Sequence, residues 1–221
     1  MNNQDIISKF KEAKNESQIQ KLCNELKLQR NQVVIGDLEE SNLDVKLVTG
    51  NVSVYLDAKL KAPKLETVGG YVSVHSDAKL PKLKTVGSYV RVYSDAKLEA
   101  PKLKNVGGNV LVHSDTKLPK LENVGSYVRV YSDAKLEIPK LKNVGGNVSV
   151  YIDAKLKTPK LENVGGNVLV HSDAKLEVPK LKTVGGYIYV NSDAKFPKLE
   201  NVGGDVCVHS NSKLEAPKLN R

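Results

Sequence analysis

From Val48 onward the apolar residues recur in one fixed order: a valine, a small pair, a Val-x-Val triplet, then two leucines on either side of a proline. The prolines at 63, 81, 101, 119, 139, 159, 179, 197 and 217 set the period, and their spacing is always 18 or 20 residues. Strict alternation, as at Val90 and Val92, predicts a short strand with one face in a core. Leu98, Leu103 and Val106 then point inward from the far side, and Pro101, lacking an N–H, sits where the chain crosses between them. Glycine pairs such as Gly69-Gly70 and Gly107-Gly108 give the backbone freedom for the corner before each strand, and Ser94-Asp95-Ala96-Lys97 turns the chain after it. A period this short is too small for a helical pair or a propeller blade and matches one turn of a solenoid. Each turn buries its apolar side chains only against the turns above and below, so stability accumulates by stacking.

The two coil lengths have a simple origin. Coils such as Lys79-Leu80-Pro81-Lys82-Leu83 lack two residues that Lys97-Leu98-Glu99-Ala100-Pro101 carries. The expectation is that these residues bulge one corner between Leu98 and Pro101 and leave the strand register alone. Nine strands stacked about 4.8 Å apart predict a rod on the order of 40 Å long.

Residues 1–29 carry a different period. Ile6, Phe10 and Ala13 fall at helical spacing, and Ile19, Leu22, Cys23 and Leu26 form a second stripe. Ser17 followed by Gln20 reads as a capping box that starts the second helix. A helical pair here predicts a cap over the first coil, with Cys23 as core. Residues 30–47 predict an irregular first coil whose strand is Val33-Val34-Ile35-Gly36, and residues 48–221 make the nine repeats.

Of 221 residues 40% are hydrophobic, with two Phe and no Trp, so the core must be valine, leucine, alanine and isoleucine. The net charge of +9 favours acidic partners such as nucleic acid or an acidic protein face. Lysine that merely solubilises a long stack and discourages edge pairing has the same composition. The polar start and the lack of any long apolar run predict no signal peptide, no membrane span and a cytoplasmic protein. Two cysteines, Cys23 and Cys207, make no disulfide framework.

The phrase Lys-Leu-x-x-Val-Gly-Gly-x-Val-x-Val, as in Lys102 to Val112, resembles the repeat of receptor L domains. It is also similar to the Leu-Pro-x-Leu-x-x-Val-Gly-Gly repeats of leucine-rich-like proteins from bacteria and their phages. The resemblance covers about residues 48 to 219. It implies a mainly β fold, a right-handed parallel β-helix or LRR-like solenoid of 18–20-residue coils behind an N-terminal α-helical cap. Secreted L domains carry cysteines and a signal sequence that this chain lacks, which argues against an extracellular receptor. The phage-associated relatives imply one concrete function, inhibition of a bacterial defence nuclease.

In such a stack equivalent residues line up as ladders. Asp57, Asp77, Asp95, Asp115, Asp133, Asp153, Asp173 and Asp193 run beside lysines two positions on, from Lys59 to Lys213. Opposed charge ladders and aspartates that close turns read as scaffold. A second lysine ladder follows the prolines, with Lys82, Lys102, Lys120, Lys140, Lys160 and Lys180 as candidates for polyanion binding.

Specificity is expected where the repeats differ, on the outward positions of the strand. Tyr89-Val90-Arg91-Val92-Tyr93 recurs as Tyr127-Val128-Arg129-Val130-Tyr131 two coils on, with His113 between them and Tyr189 further along. Tyrosine and arginine combine contact area with directional donors, and they stack on bases and pair with phosphates. Leu111 and Leu169, outward by the same alternation, favour a protein or ribonucleoprotein partner. Direct nucleic-acid binding by the lysines is the alternative, and a carbohydrate-active β-helix enzyme a remote one. The carboxylates recur identically in every coil, so no acid–base constellation stands out, and neither catalysis nor a cofactor is expected. His75 and His113 lie two coils apart, about 10 Å, too far to share a metal ion. The last coil ends at Pro217-Lys218-Leu219-Asn220-Arg221 without an evident second cap, which predicts an open edge for partner docking or for end-to-end association into a homodimer.

Overall fold

The computed structural model describes residues 3–38, 44–56 and 60–219. They form a β-solenoid of stacked parallel strands behind two short helices. Each coil contributes three short strands, and these stack into three faces. The front face is nine-stranded, running from Val52–Val54 to Val206–Val208. A ten-stranded flank face runs from Val33–Val34 to Asn201–Val202. The third, beside the prolines, is broken into pieces of three, four and two strands. Every pairing is in register with the same position of the next coil, for example Val110 with Val90 on one side and Val128 on the other.

Stacking explains the small-residue corners. A Cβ placed on Gly145 would sit 2.1 Å from the carbonyl oxygen of Gly125 in the coil before it. Only glycine lets the two backbones approach this closely.

The core is a set of aliphatic ladders. The front-face valines and the leucines after the prolines are fully buried from Val52 to Leu199. On the proline face a compensation in volume runs along the rod. Ala78 is followed two residues on by Leu80, Thr116 by Leu118 and Ala194 by Phe196, whereas Leu60 is followed by Ala62 and Leu98 by Ala100. From Leu60 to Thr116 large side chains in one coil therefore fit over small ones in the next, whereas Leu136, Leu156 and Leu176 stack in register on one another.

This register corrects where the two extra residues lie. Ala78 pairs with Leu98 and Lys79 with Glu99, so Glu99 and Ala100 are not the insertion. The longer coil spends its extra pair at Ala96-Lys97, in a turn led by Asp95 at φ 61°. Asp133, Asp153 and Asp173 adopt the same left-handed conformation in three more of the long coils. Aspartate tolerates it better than most residues.

Helices α1 (Asn3–Glu12) and α2 (Glu16–Glu25) cap the first coils. Ile7, Phe10, Ile19 and Cys23 pack with Val33 and Leu47 as a separate small core, and Ile7 lies directly against Gly69. The start of α2 is shifted from the expected Ser17. Asn15 is the N-cap, accepting from the Gln18 N–H at 3.0 Å, while the Gln18 carboxamide accepts from the Lys14 N–H at 2.7 Å. Ser17 falls inside the first turn because Asn15, equally able to cap, comes first in the chain. The first coil's strand stops at Val34. Gly36, at φ 104°, turns the chain, and Ile35 is exposed. Asp57 and Lys59 lie outside the described residues.

Candidate partner-binding face

The front-face strands present three outward positions per coil, one inside the Val-x-Val triplet and one on each side of it. The position after the strand carries a continuous column of rings: His75, Tyr93, His113, Tyr131, Tyr151 and His171. Centroid separations run from 3.6 to 5.9 Å and neighbouring planes are within 19° of parallel. On the other side of the strands Tyr71 stacks on Tyr89 at 4.7 Å. In-register parallel pairing brings these rings together, because the coil repeat of about 4.8 Å is close to a stacking distance.

The arginines lie against rings of both rows. The Arg91 guanidinium sits 4.3 Å from the Tyr93 ring centre, and that of Arg129 lies 5.0 Å from Tyr127 and 6.0 Å from Tyr131. Such cation–π contacts fix a guanidinium in place and desolvate one side of it. The neighbouring phenols, Tyr131 above all, raise the Arg129 pKa further, against an opposing desolvation. The Nε atoms of both arginines, and Nε2 of His113 between them, are buried without a hydrogen-bond partner. Desolvation, reinforced by the Arg91 charge, holds the His113 pKa below its ordinary value. Desolvation also raises the Tyr89 phenol, with smaller contributions from Tyr71 and Tyr93 and an opposing one from Arg91.

Seven of the eight candidate residues therefore meet in three consecutive coils: Tyr89, Arg91 and Tyr93, then His113, then Tyr127, Arg129 and Tyr131. Tyr189 stands apart, three rungs beyond Arg129, between Leu169 and Cys207. Leu111 corrects the expectation of an exposed leucine. It is only 8% exposed, in register between Arg91 and Arg129. Leu169 is half-buried between Ser149 and Tyr189. The serines at the same position, Ser53, Ser73 and Ser149, are buried too. The middle row is thus a floor, and the rows on either side are its walls.

The asparagines in the row before the strand belong to the scaffold. The carboxamide oxygen of Asn51 accepts the Tyr71 N–H, that of Asn109 the Tyr127 N–H, and that of Asn167 the Tyr187 N–H, at 3.0 to 3.2 Å. Asn147 does the same for Asn167. Sequence reading missed this role, although the recurrence of Asn at one repeat position was its signal.

The post-proline lysines Lys82, Lys102, Lys120, Lys140, Lys160 and Lys180 are all exposed, one per coil, at the proline corner. Among the described residues none of these six forms an ion pair. Two positions on, opposite charges neutralise each other between coils. Lys182 meets Glu162 at 2.9 Å, lowering the carboxyl pKa and raising that of the amine through one hydrogen bond.

A half-open groove of about 720 Å³ crosses the proline face over Leu98 and Ala100. Lys79–Glu99, Lys117–Glu137 and Lys135–Asp115 pairs span it at 3.3 to 3.8 Å, so its charges already satisfy one another. Among the described residues no group of three His, Cys, Asp or Glu side chains converges on a point. Cys207 is exposed on the terminal strand, and Cys23 is buried, where desolvation raises its pKa. Among the described residues no helix is long and apolar enough to cross a membrane. No family model, no curated protein and no solved structure matches this chain.

Proposed function

We propose that the chain is a non-enzymatic recognition solenoid whose ring-and-arginine face binds a protein or nucleoprotein partner. The observation that carries this reading is the duplicated Tyr-Arg-Tyr set around His113, with two guanidiniums held on ring faces and their Nε donors left without acceptors. Buried donors of this kind are ordinarily satisfied. A partner supplying carboxylates or carbonyls along this row would engage the ring edges and the outer guanidinium nitrogens. Ring faces inside the column are occupied by neighbouring rings, so free faces for stacking bases are few, which favours a protein surface. The narrower version, in which that partner is a bacterial defence nuclease, is a special case of the same proposal.

The six unpaired lysines at the proline corner support a second reading, direct binding of a nucleic acid. The two separate by salt, since affinity carried by phosphate contacts falls steeply as counterions are added. The test is capture from a cell lysate with tagged wild type and with Arg91→Ala plus Arg129→Ala, each with and without nuclease treatment. The proposal expects a protein retained after nuclease and lost with the arginines. Recovery of nucleic acid alone, indifferent to the arginines and abolished by salt, would transfer the function to the lysines.

A further inference from the structure

The two ends of the rod are not alike. At the first, α1, α2 and the coil of residues 30–38 and 44–47 cover the stack, with Ile7 seated on Gly69. At the second, no front-face strand of the described residues lies beyond Val206–Val208. Val206 and Val208 are 38% and 41% exposed, whereas Ile188 and Val190 one coil earlier are fully buried. With Val202, Leu214, Ala216 and Leu219 they surround an open recess of about 690 Å³. The first valine of each front strand donates its N–H forward to the next coil, as Val168 does to Tyr187 and Ile188 to Asp205. Val206 occupies that position, and its N–H points off the end. By the alternation of the pleat, Val208 does the same.

Such an edge is a template for another strand. A head-to-tail neighbour would need an open first end, and the helices occupy it. Open end against open end leaves a two-fold arrangement, which closes at two copies. We propose that the last coil is an isologous interface for a second copy of this chain, in which Val206–Val208 pairs antiparallel with itself about an axis through Cys207.

The side-chain pattern selects that axis. Placed on Cys207, it sets Val206 opposite Val208 of the second copy, inward against inward, and Cys207 opposite Cys207, outward against outward. An axis between two residues would set inward valine against outward cysteine and flip one face. The backbone agrees. Asp205 and His209 direct their strand hydrogen bonds back toward Ile188 and Val190, and Cys207 shares their parity. Val206 and Val208 then form the hydrogen-bonded pair. Cys207 and its copy form the non-hydrogen-bonded pair, in which opposed Cα atoms approach to about 4.5 Å. One step outward, Asp205 falls opposite His209 of the second copy, a complementary carboxylate–imidazole contact made twice. The three-sided outline fits as well. A two-fold through the middle of the front side exchanges the other two, so Asn201–Val202 faces Leu214–Glu215, with Val202 and Leu214 both inward. The interface would engage roughly 20 residues a side, the low end of a standard interface.

The test uses the full chain, scattering-based mass determination and a short bismaleimide that bridges two nearby thiols. Cys23, fully buried, is the internal control. The proposal expects twice the 24.2 kDa chain mass and a covalent dimer whose bridged peptides both contain Cys207. Cys207→Ser should remain dimeric yet resist bridging. Cys207→Lys keeps an outward side chain but opposes two like charges, and should shift assembly at least tenfold toward monomer with unchanged circular dichroism. A wild type that stays monomeric at about 100 micromolar, a range that captures even weak self-association, would overturn it. So would a dimer that Cys207→Lys leaves intact, or one whose Cys207 thiols take up a monofunctional maleimide but are never bridged.

Discussion

At the residue scale, two side chains sit where the ladders are imperfect. Thr158 is fully buried between Ile138 and Val178, and its hydroxyl has no partner. Replacing it with the isosteric valine removes an unsatisfied polar group, which should stabilise the fold by about 1 kcal/mol. A rise of about 2–4 °C in Tm by calorimetry is the expected readout; an unchanged or lower Tm would mean the hydroxyl is satisfied in solution. His113 is the second. Its folded pKa is depressed, so the unfolded chain takes up the proton first as pH falls. The stability tied to neutral His113 is present above the ordinary pKa of about 6.5 and is lost as pH drops below it. His113→Tyr, which extends the ring column in kind, should flatten that part of the Tm–pH profile. An identical profile in the variant would assign the dependence to another group.

At the scale of the element, the proline face shows how coils of two lengths stack. Between long coils the turns pair through backbone, as Lys155 N–H does with the Ala134 carbonyl and Lys175 N–H with Ala154. A short coil has no residues there, and side chains take over. The Ser114 hydroxyl donates to the Ala96 carbonyl at 2.8 Å and Ser192 to Ala174 at 3.0 Å. In the forward direction Asp115 accepts the Lys135 N–H and Asp193 the Lys213 N–H, both at 2.9 Å. The third face breaks at these same two steps, between Leu98–Glu99 and Thr116–Lys117 and again between Lys175–Glu177 and Ala194–Lys195. Asp115→Ala should cost about 1 kcal/mol, while Asp115→Asn, which keeps an acceptor, should cost far less. Equal losses in urea melts would contradict the assignment. Gly145→Ala tests the opposite corner. Its methyl meets backbone rather than a movable side chain, so a loss above about 2 kcal/mol is expected, and a neutral result would deny the close approach.

Much of this scale was legible in the sequence. Alternation at Val90 and Val92, the glycine corners and the fixed period specify strands, core and stacking, because inward positions repeat almost without change. The insertion site was misread because Leu-Pro in short coils looks like Leu-x-x-Pro with a gap. Only inter-coil register reveals that Ala78 replaces a leucine. The cap shifted for a local reason, two capping residues, Asn15 and Ser17, within reach of one helix start. At the candidate face, the sequence placed Tyr89, Arg91, Tyr127 and Arg129 in one row. It could not show that the outward Leu111 would be buried between the Arg91 and Arg129 rungs, since side-chain direction along the rod leaves no trace in period or composition.

At the scale of the whole molecule, the rod separates three surfaces by chemistry: stacked rings with arginines on the front, unpaired lysines at the proline corner, and an apolar open end. The central claim is that the front surface does the recognising, and the repeat supplies its own neutral control. Asn147-Val148-Ser149-Val150-Tyr151 occupies the same strand position two coils after Asn109-Val110-Leu111-Val112-His113 and packs with the same buried valines. Grafting its outward residues onto the two candidate coils, as Tyr89→Asn, Arg91→Ser, Tyr127→Asn and Arg129→Ser together, keeps every core ladder, the lysine corner and the open end. The measurement is the affinity of this variant and of wild type for the captured partner, at matched salt, with the melting curve recorded for each. The account predicts a loss of about 30-fold or more, the scale of a binding hot spot, with the melt essentially unchanged. Undiminished affinity in a folded variant would contradict it.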